Sequence, residues 1–272
     1  MVKKFIEFKG CNYFRQRLIL SILSSKPVII DKIRYKNDDP GIRDFESSLL
    51  RLIDKVTNGS KIEVSDTGTR VIFRPGLLMG GKIEHDCGTE HSIGYFLELL
   101  ISLAPFCKDP INAVLTGVTN NQIDPSVDLI KFSCLPIIKR FMLDDEGLEL
   151  KVQKRGVVPL GGGQVVFRCP VKRQLRPIQI QDQGKIKRIR GLAWATRVSP
   201  SVVNRIVEGA KGKLLKFLPD IYIYTDHFTG AKSGKSPGFG LVLTAETNSG
   251  TNILKCSFSK CYGLVFFESM SR

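Results

Sequence analysis

The chain has 272 residues, 42% hydrophobic and 25% charged, with a formal net charge of +15 and a pI near 9.6. That composition excludes disorder over most of the length, and the size points to two lobes rather than one core. No apolar run approaches the ~20 residues that cross a bilayer. Glu7 and Lys9 interrupt the N-terminal stretch where a signal peptide needs its hydrophobic segment, so a cytosolic or nuclear protein is expected.

Taken in chain order, residues 13–24 (YFRQRLILSILS) have helical periodicity and PVIIDKIRY reads as a strand. Pro40 and Gly41 mark a turn before a helix with apolar positions at Phe45, Leu49, Leu50, Leu52, Ile53 and Val56, ended by Asn58 and Gly59. KIEVS and RVIF follow as strands joined by Asp66-Thr67-Gly68. The same order then recurs. SIGYFLELLISLA is helical, INAVLTGV is a strand, and PSVDLIKFSCLPIIKRFM is a helix with Pro125 in its first turn and Asp124 as its expected cap. LELKVQKR and GQVVFRC close the unit. The strand at Val28 maps to Ile111 and the helix at Ile42 to Pro125, an offset near 83 residues in both cases, which argues for duplication of one unit.

Seven cysteines, an odd number with no C-x-x-C pair, suggest neither a disulfide framework nor a zinc site, and read as small apolar fillers. The charge is unevenly spread. Between Arg168 and Arg197 nine basic residues face one acid, Asp182. A basic excess of this kind implies a polyanionic partner, RNA or DNA rather than membrane. Arg173, Arg176, Lys185, Lys187, Arg188 and Arg190 are the candidate RNA-contacting residues. The other reading of this strand is a lysine-rich edge that blocks aggregation.

Two glycine-rich stretches invite a phosphate-loop reading. Gly161-Gly162-Gly163 lies in the hairpin position that Asp66-Thr67-Gly68 holds in the first unit, and a strand follows it, whereas a phosphate cradle is followed by a helix N-terminus. Gly230 to Gly240 contains Gly234-Lys235-Ser236, but the spacing of a P-loop fails and Pro237 blocks a helix there, so a flexible basic loop is expected. The stretch EHDCGTEH, with His85 and His91 flanking Cys87, reads as a polar helix entrance capped by Thr89 or Asp86 in preference to a metal site.

Arg155-Gly156-Val157-Val158-Pro159-Leu160-Gly161-Gly162-Gly163 resembles the R-G-x-x-P-x-G-G-G signature of the RNA 3′-terminal phosphate cyclase family. Asp39-Pro40-Gly41-Ile42-Arg43, Phe73-Arg74-Pro75-Gly76 and the segment Gly184 to Gly191 resemble family segments in the same order, so that the resemblance runs from about residue 8 to 254. It implies an α+β fold of repeated four-stranded sheets with two helices each, plus an inserted smaller α/β domain. The expected division is a repeat domain over 1–183 (units of about 1–76 and 77–170), the insert over 184–254, and a tail over 255–272 unlike the family, where a third repeat should follow.

Cyclases pass AMP from ATP through a histidine to an RNA 3′-phosphate, which closes to a 2′,3′-cyclic end. The family's N-terminal glycine-rich segment stands here as Glu7 to Arg15, with Phe8 where an acid belongs and Asn12 where a glutamine does, and its R-x-x-R run loses the second arginine to Asn37. Arg15 and Arg43 are the residual anion-site candidates, and none of His85, His91 and His227 stands where the nucleophile belongs. The departures resemble the non-catalytic branch of the family. That resemblance implies no cofactor, no metal and no catalytic residue, and a nucleolar role in early pre-ribosomal RNA processing toward 18S rRNA. The partners it implies are pre-ribosomal RNA, the small-subunit pre-ribosome and a ribosome-assembly GTPase, with no membrane. The alternative it leaves is an active cyclase with diverged contacts.

Overall fold

The computed structural model describes residues 4–142 and 146–249 apart from 173, 180 and 183, together with the backbone of 252–259. Its first unit runs β1 (Ile6–Lys9), α1 (Phe14–Ser24), β2 (Val28–Asp31), α2 (Asp44–Val56), β3 (Thr57–Asn58), β4 (Lys61–Val64) and β5 (Val71–Arg74). Phe14, Leu18 and Ile22 recur every four residues along α1 and are buried, and α2 buries Leu49, Leu50, Leu52, Ile53 and Val56 on one stripe. β1, β2, β5 and β4 form a sheet in that order, with β1 parallel to β2 and the other pairs antiparallel. A short ribbon joins β3 to β6 (Leu77–Leu78).

The second unit has the same plan. β7 (Gly80–Asp86), α3 (Ile93–Leu103), β8 (Asp109–Gly117), α4 (Val127–Phe141), β9 (Glu149–Lys154) and β10 (Gly163–Cys169) give the sheet order β7, β8, β10, β9. One hydrophobic cluster, from Phe14 to Cys169, runs through both units, and α1 lies against α3. Cys87, Cys107 and Cys169 are buried free thiols, and burial pushes the last two up to about 11 and about 12, so they behave as packing groups.

Each unit therefore starts with a strand that periodicity did not reveal. β7 also changes the reading of Glu84-His85-Asp86, which is strand and not helix entrance. Its alternation turns Ile83 and His85 inward and leaves Glu84 and Asp86 exposed. The cap of α3 is Ser92, whose hydroxyl accepts from the Gly94 N–H. The cap of α4 is likewise Ser126, accepting from the Leu129 N–H, and not Asp124. The Asp124 carboxylate is occupied elsewhere, by His91, the Ser92 N–H and Asn121.

β11 (Ile186–Thr196), α5 (Pro200–Leu214), β12 (Ile221–Phe228), β13 (Gly238–Thr247) and β14 (Asn252–Ser259) form a third sheet in the order β12, β11, β13, β14. Ala193, Ala195, Val203, Ala210, Ile223 and Leu241 make its separate core under α5. The other face is covered by α4 over β13 and β14, where Val242 and Thr244 are buried. A boundary at residue 254 falls inside β14, because the strand pairs with β13 as far as Ser259. No helix among the described residues is long and apolar enough to cross a membrane.

Candidate nucleic-acid interface

The signature loop is a junction between the second unit and the third sheet. Arg155 is fully buried, and its guanidinium donates twice to the Asp128 carboxylate, at 2.6 and 3.1 Å, once to Asn120 at 3.0 Å and once to Asp226 of β12 at 3.4 Å. The ring of Trp194 lies 4.7 Å and that of Phe228 5.3 Å from its central carbon, so the cation is enclosed by carboxylates and aromatic faces. Burial alone would raise the Asp128 carboxyl, and the adjacent guanidinium overrides it, holding the acid below its usual range.

The two glycine-rich stretches meet here. The Gly234 N–H donates to the Arg155 carbonyl at 2.6 Å, the Lys235 N–H to the Gly161 carbonyl at 3.0 Å, and the Leu160 N–H to the Ser236 hydroxyl at 3.1 Å. A Cβ on Gly156 would stand 2.1 Å from the Gly163 nitrogen, so this crossing of backbones admits only hydrogen at that position. Gly161 and Gly162 turn the chain with φ of 61° and 83° before β10. Pro159 sits in the same turn, after a cis peptide bond. The stretch from 230 to 240 is thus held by backbone hydrogen bonds rather than flexible. Its glycines serve the crossing.

Arg15 and Arg43 lie elsewhere, at the contact between the first two units. Arg15 pairs with Glu98, donates to the Tyr95 carbonyl at 2.9 Å and stacks over the Tyr95 ring at 4.4 Å. Arg43 pairs with Asp39, two residues from Phe45, whose ring centroid is 3.9 Å from that of His91. Phe8 lies under the Arg17 guanidinium at 4.7 Å, and Asn37 occupies an exposed turn that its N–H closes on the Arg34 carbonyl. His91 and Tyr95 were not singled out together by sequence reasoning; His91 precedes the Ser92 cap of α3, and the Phe45 ring that joins the two comes from α2, so no local spacing announced the cluster.

The histidines have internal partners. Nε2 of His85 is 3.0 Å from the Ser48 hydroxyl, and burial, helped by Lys55, lowers its pKa to about 4. Nδ1 of His91 is 2.8 Å from Asp124, and Nε2 of His227 donates to the Val198 carbonyl at 2.7 Å.

The basic candidates gather at the third sheet. Lys187, Arg188 and Arg190 lie on β11, and Lys185 immediately precedes it. β11 lies between β12 and β13, but its pairing with β12 begins at Ile189, so of these residues only Arg190 is flanked by a strand on both sides. Arg188 pairs with Glu246 across the antiparallel ladder, and Arg190 donates to both oxygens of Asp220, at 2.7 and 3.2 Å. Lys185 and Lys187 form no ion pair among the described residues. Arg176 lies in the exposed connection before β11, where its backbone N–H donates to the Phe141 carbonyl. Arg173 lies outside the described residues.

A sequence model of the family described as RNA 3′-terminal phosphate cyclase matches residues 6–262. The chain belongs to the RNA 3′-terminal phosphate cyclase family. It is 59% identical over 246 residues to the RNA 3′-terminal phosphate cyclase-like protein of Homo sapiens, covering 90% of this chain and 66% of that one. It is 57% identical over 244 residues to the probable RNA 3′-terminal phosphate cyclase-like protein of Drosophila melanogaster, covering 89% and 64%. Against the rRNA processing protein rcl1 of Schizosaccharomyces pombe the identity is 49% over 254 residues, covering 93% and 68%. The chain thus spans about two thirds of the length of the curated relatives it matches. The family match reaches residue 262, eight residues past 254, and its last three residues lie outside the described part.

Proposed function

We propose that the chain is a non-catalytic, RNA-binding member of the cyclase family that acts in early pre-ribosomal RNA processing toward 18S rRNA. In this reading it works in the nucleolus, on the small-subunit pre-ribosome and beside an assembly GTPase. The observation that carries the non-catalytic half is the internal commitment of the residual anion site. Arg15 is tied to Glu98 and Tyr95, Arg43 to Asp39, and Phe8 stands in place of a carboxylate beneath Arg17. A phenyl ring cannot replace a carboxylate in metal or proton chemistry, and the largely buried Arg15 is already committed to Glu98 and the Tyr95 carbonyl.

Retention of the signature does not favour the cyclase alternative, because Arg155 and its glycines are accounted for by the junction they build. The free lysines before and on β11 support the RNA-binding half, and the name of the fission-yeast relative supports the process. Incubation with ATP labelled at the α-phosphate, magnesium and a 3′-phosphorylated RNA tests the proposal. The expected result is no protein-bound AMP after denaturation and no cyclic end. A labelled adduct that chases onto RNA would overturn the non-catalytic reading.

A further inference from the structure

β12 alternates in a way that the core does not require. Ile221 and Ile223 pack beneath α5, while Tyr222 and Tyr224 project from the opposite face, each 52% exposed. Their ring centroids are 4.5 Å apart with 70° between planes. The parallel register sets Tyr222 beside Arg190 and Tyr224 beside Leu192, so the tyrosines adjoin the basic strand directly. The rest of this face is occupied. α4 covers it over β13 and β14, and Arg155 of the second unit covers the end that holds Trp194 and Phe228. What stays open is a flat area on β11 and β12 that carries the two tyrosines.

The charges around that area select the partner. Arg188, Arg190, Lys185 and Lys187 stand against Glu246, Asp220 and, in the turn before Lys185, Asp182, which leaves an excess of cations; the two arginines are held in place by Glu246 and Asp220, while the two lysines form no ion pair among the described residues and can neutralise phosphates. Tyrosines two apart on a strand lie on the same face about 7 Å apart along it, and each offers a π-surface to a base. Bases in a duplex are stacked on one another and cannot use such a surface; those of a single strand can.

We propose that the open face of the third sheet is a single-stranded RNA platform on which Tyr222 and Tyr224 stack unpaired bases while Lys185 and Lys187 contact the adjoining phosphates. The proposal rests on the RNA-binding reading above and adds to it the strandedness of the RNA and the residues that touch its bases.

Fluorescence anisotropy with a short labelled oligouridine, and with a labelled RNA duplex of the same length, separates the two levels. The double variant Tyr222→Ala/Tyr224→Ala should weaken single-strand binding about tenfold or more, leave duplex binding unchanged and keep the salt dependence. Tyr222→Phe/Tyr224→Phe should retain affinity, since stacking needs the ring and not the hydroxyl. Lys185→Gln/Lys187→Gln should weaken both RNAs and flatten the salt dependence. All four tyrosine changes are at exposed positions, and thermal melting of each variant verifies the fold. Wild-type affinity in the alanine variant, with the lysine variant weakened, overturns the platform and leaves RNA binding by charge alone. Failure of the unaltered chain to bind either RNA at low salt overturns both readings. Loss of a protein partner by the alanine variant with RNA affinity intact would assign the face to that protein and overturn the platform.

Discussion

At the scale of single residues, Arg155 is the clearest case of a side chain whose role depends on partners far away in sequence. Its carboxylates come from the first turn of α4 and from β12, so no local pattern announces the pairing. Removing one member leaves the other charged and buried. Asp128→Asn or Arg155→Ala should therefore destabilise the fold by about 3–5 kcal/mol in urea unfolding, whereas replacement of both by apolar residues of similar volume should recover much of that loss. His85 gives a prediction in pH. Its pKa falls from 6.5 in the unfolded chain to about 4 in the folded one, so between those values the unfolded chain binds more protons. Stability should decline as pH falls through that window and be unaffected by His85 above it. His85→Gln should flatten the decline in thermal melts recorded between pH 7 and pH 4, and an unchanged slope would refute the assignment.

At the scale of elements, α2 and the two hairpins were legible because their apolar periods and turn residues stand in the sequence itself. β1 was not. It is four residues long with little burial, and it exists because β2 supplies a parallel partner, which is tertiary information. The caps of α3 and α4 went to Ser92 and Ser126 for a related reason: several residues near each start could cap, and Asp124 was already taken by His91 and the Ser92 N–H. Ser126→Ala should cost about 1 kcal/mol, measurable by chemical denaturation. For the candidate site, the type of the basic residues was legible while their availability was not, since Asp220 and Glu246 neutralise Arg190 and Arg188 only once β11, β12 and β13 are assembled. The signature glycines were placed in a hairpin by sequence, yet their purpose needed the second loop. Gly234→Ala would bring a Cβ to 2.5 Å from the Gly161 carbonyl oxygen. Limited proteolysis should then cleave the connection before β11 faster than in the unaltered chain, with the first two units remaining intact.

At the scale of the whole molecule, two units of identical strand order share one core, and a third sheet with its own small core is fastened to them through Arg155, the crossed glycine loops and α4. The division of labour follows from that arrangement. In the repeat units Arg15 and Arg43 are paired with Glu98 and Asp39, and the third sheet presents the lysines and the exposed tyrosines. The central claim is that this assembly binds pre-ribosomal RNA. Ultraviolet crosslinking of the chain to RNA in nuclear extract, followed by sequencing of the attached RNA, tests it most directly. The account predicts reads concentrated in pre-ribosomal RNA on the 18S side, reduced in the Lys185→Gln/Lys187→Gln variant. Reads distributed in proportion to total nuclear RNA, or no crosslinked RNA at all, would contradict it.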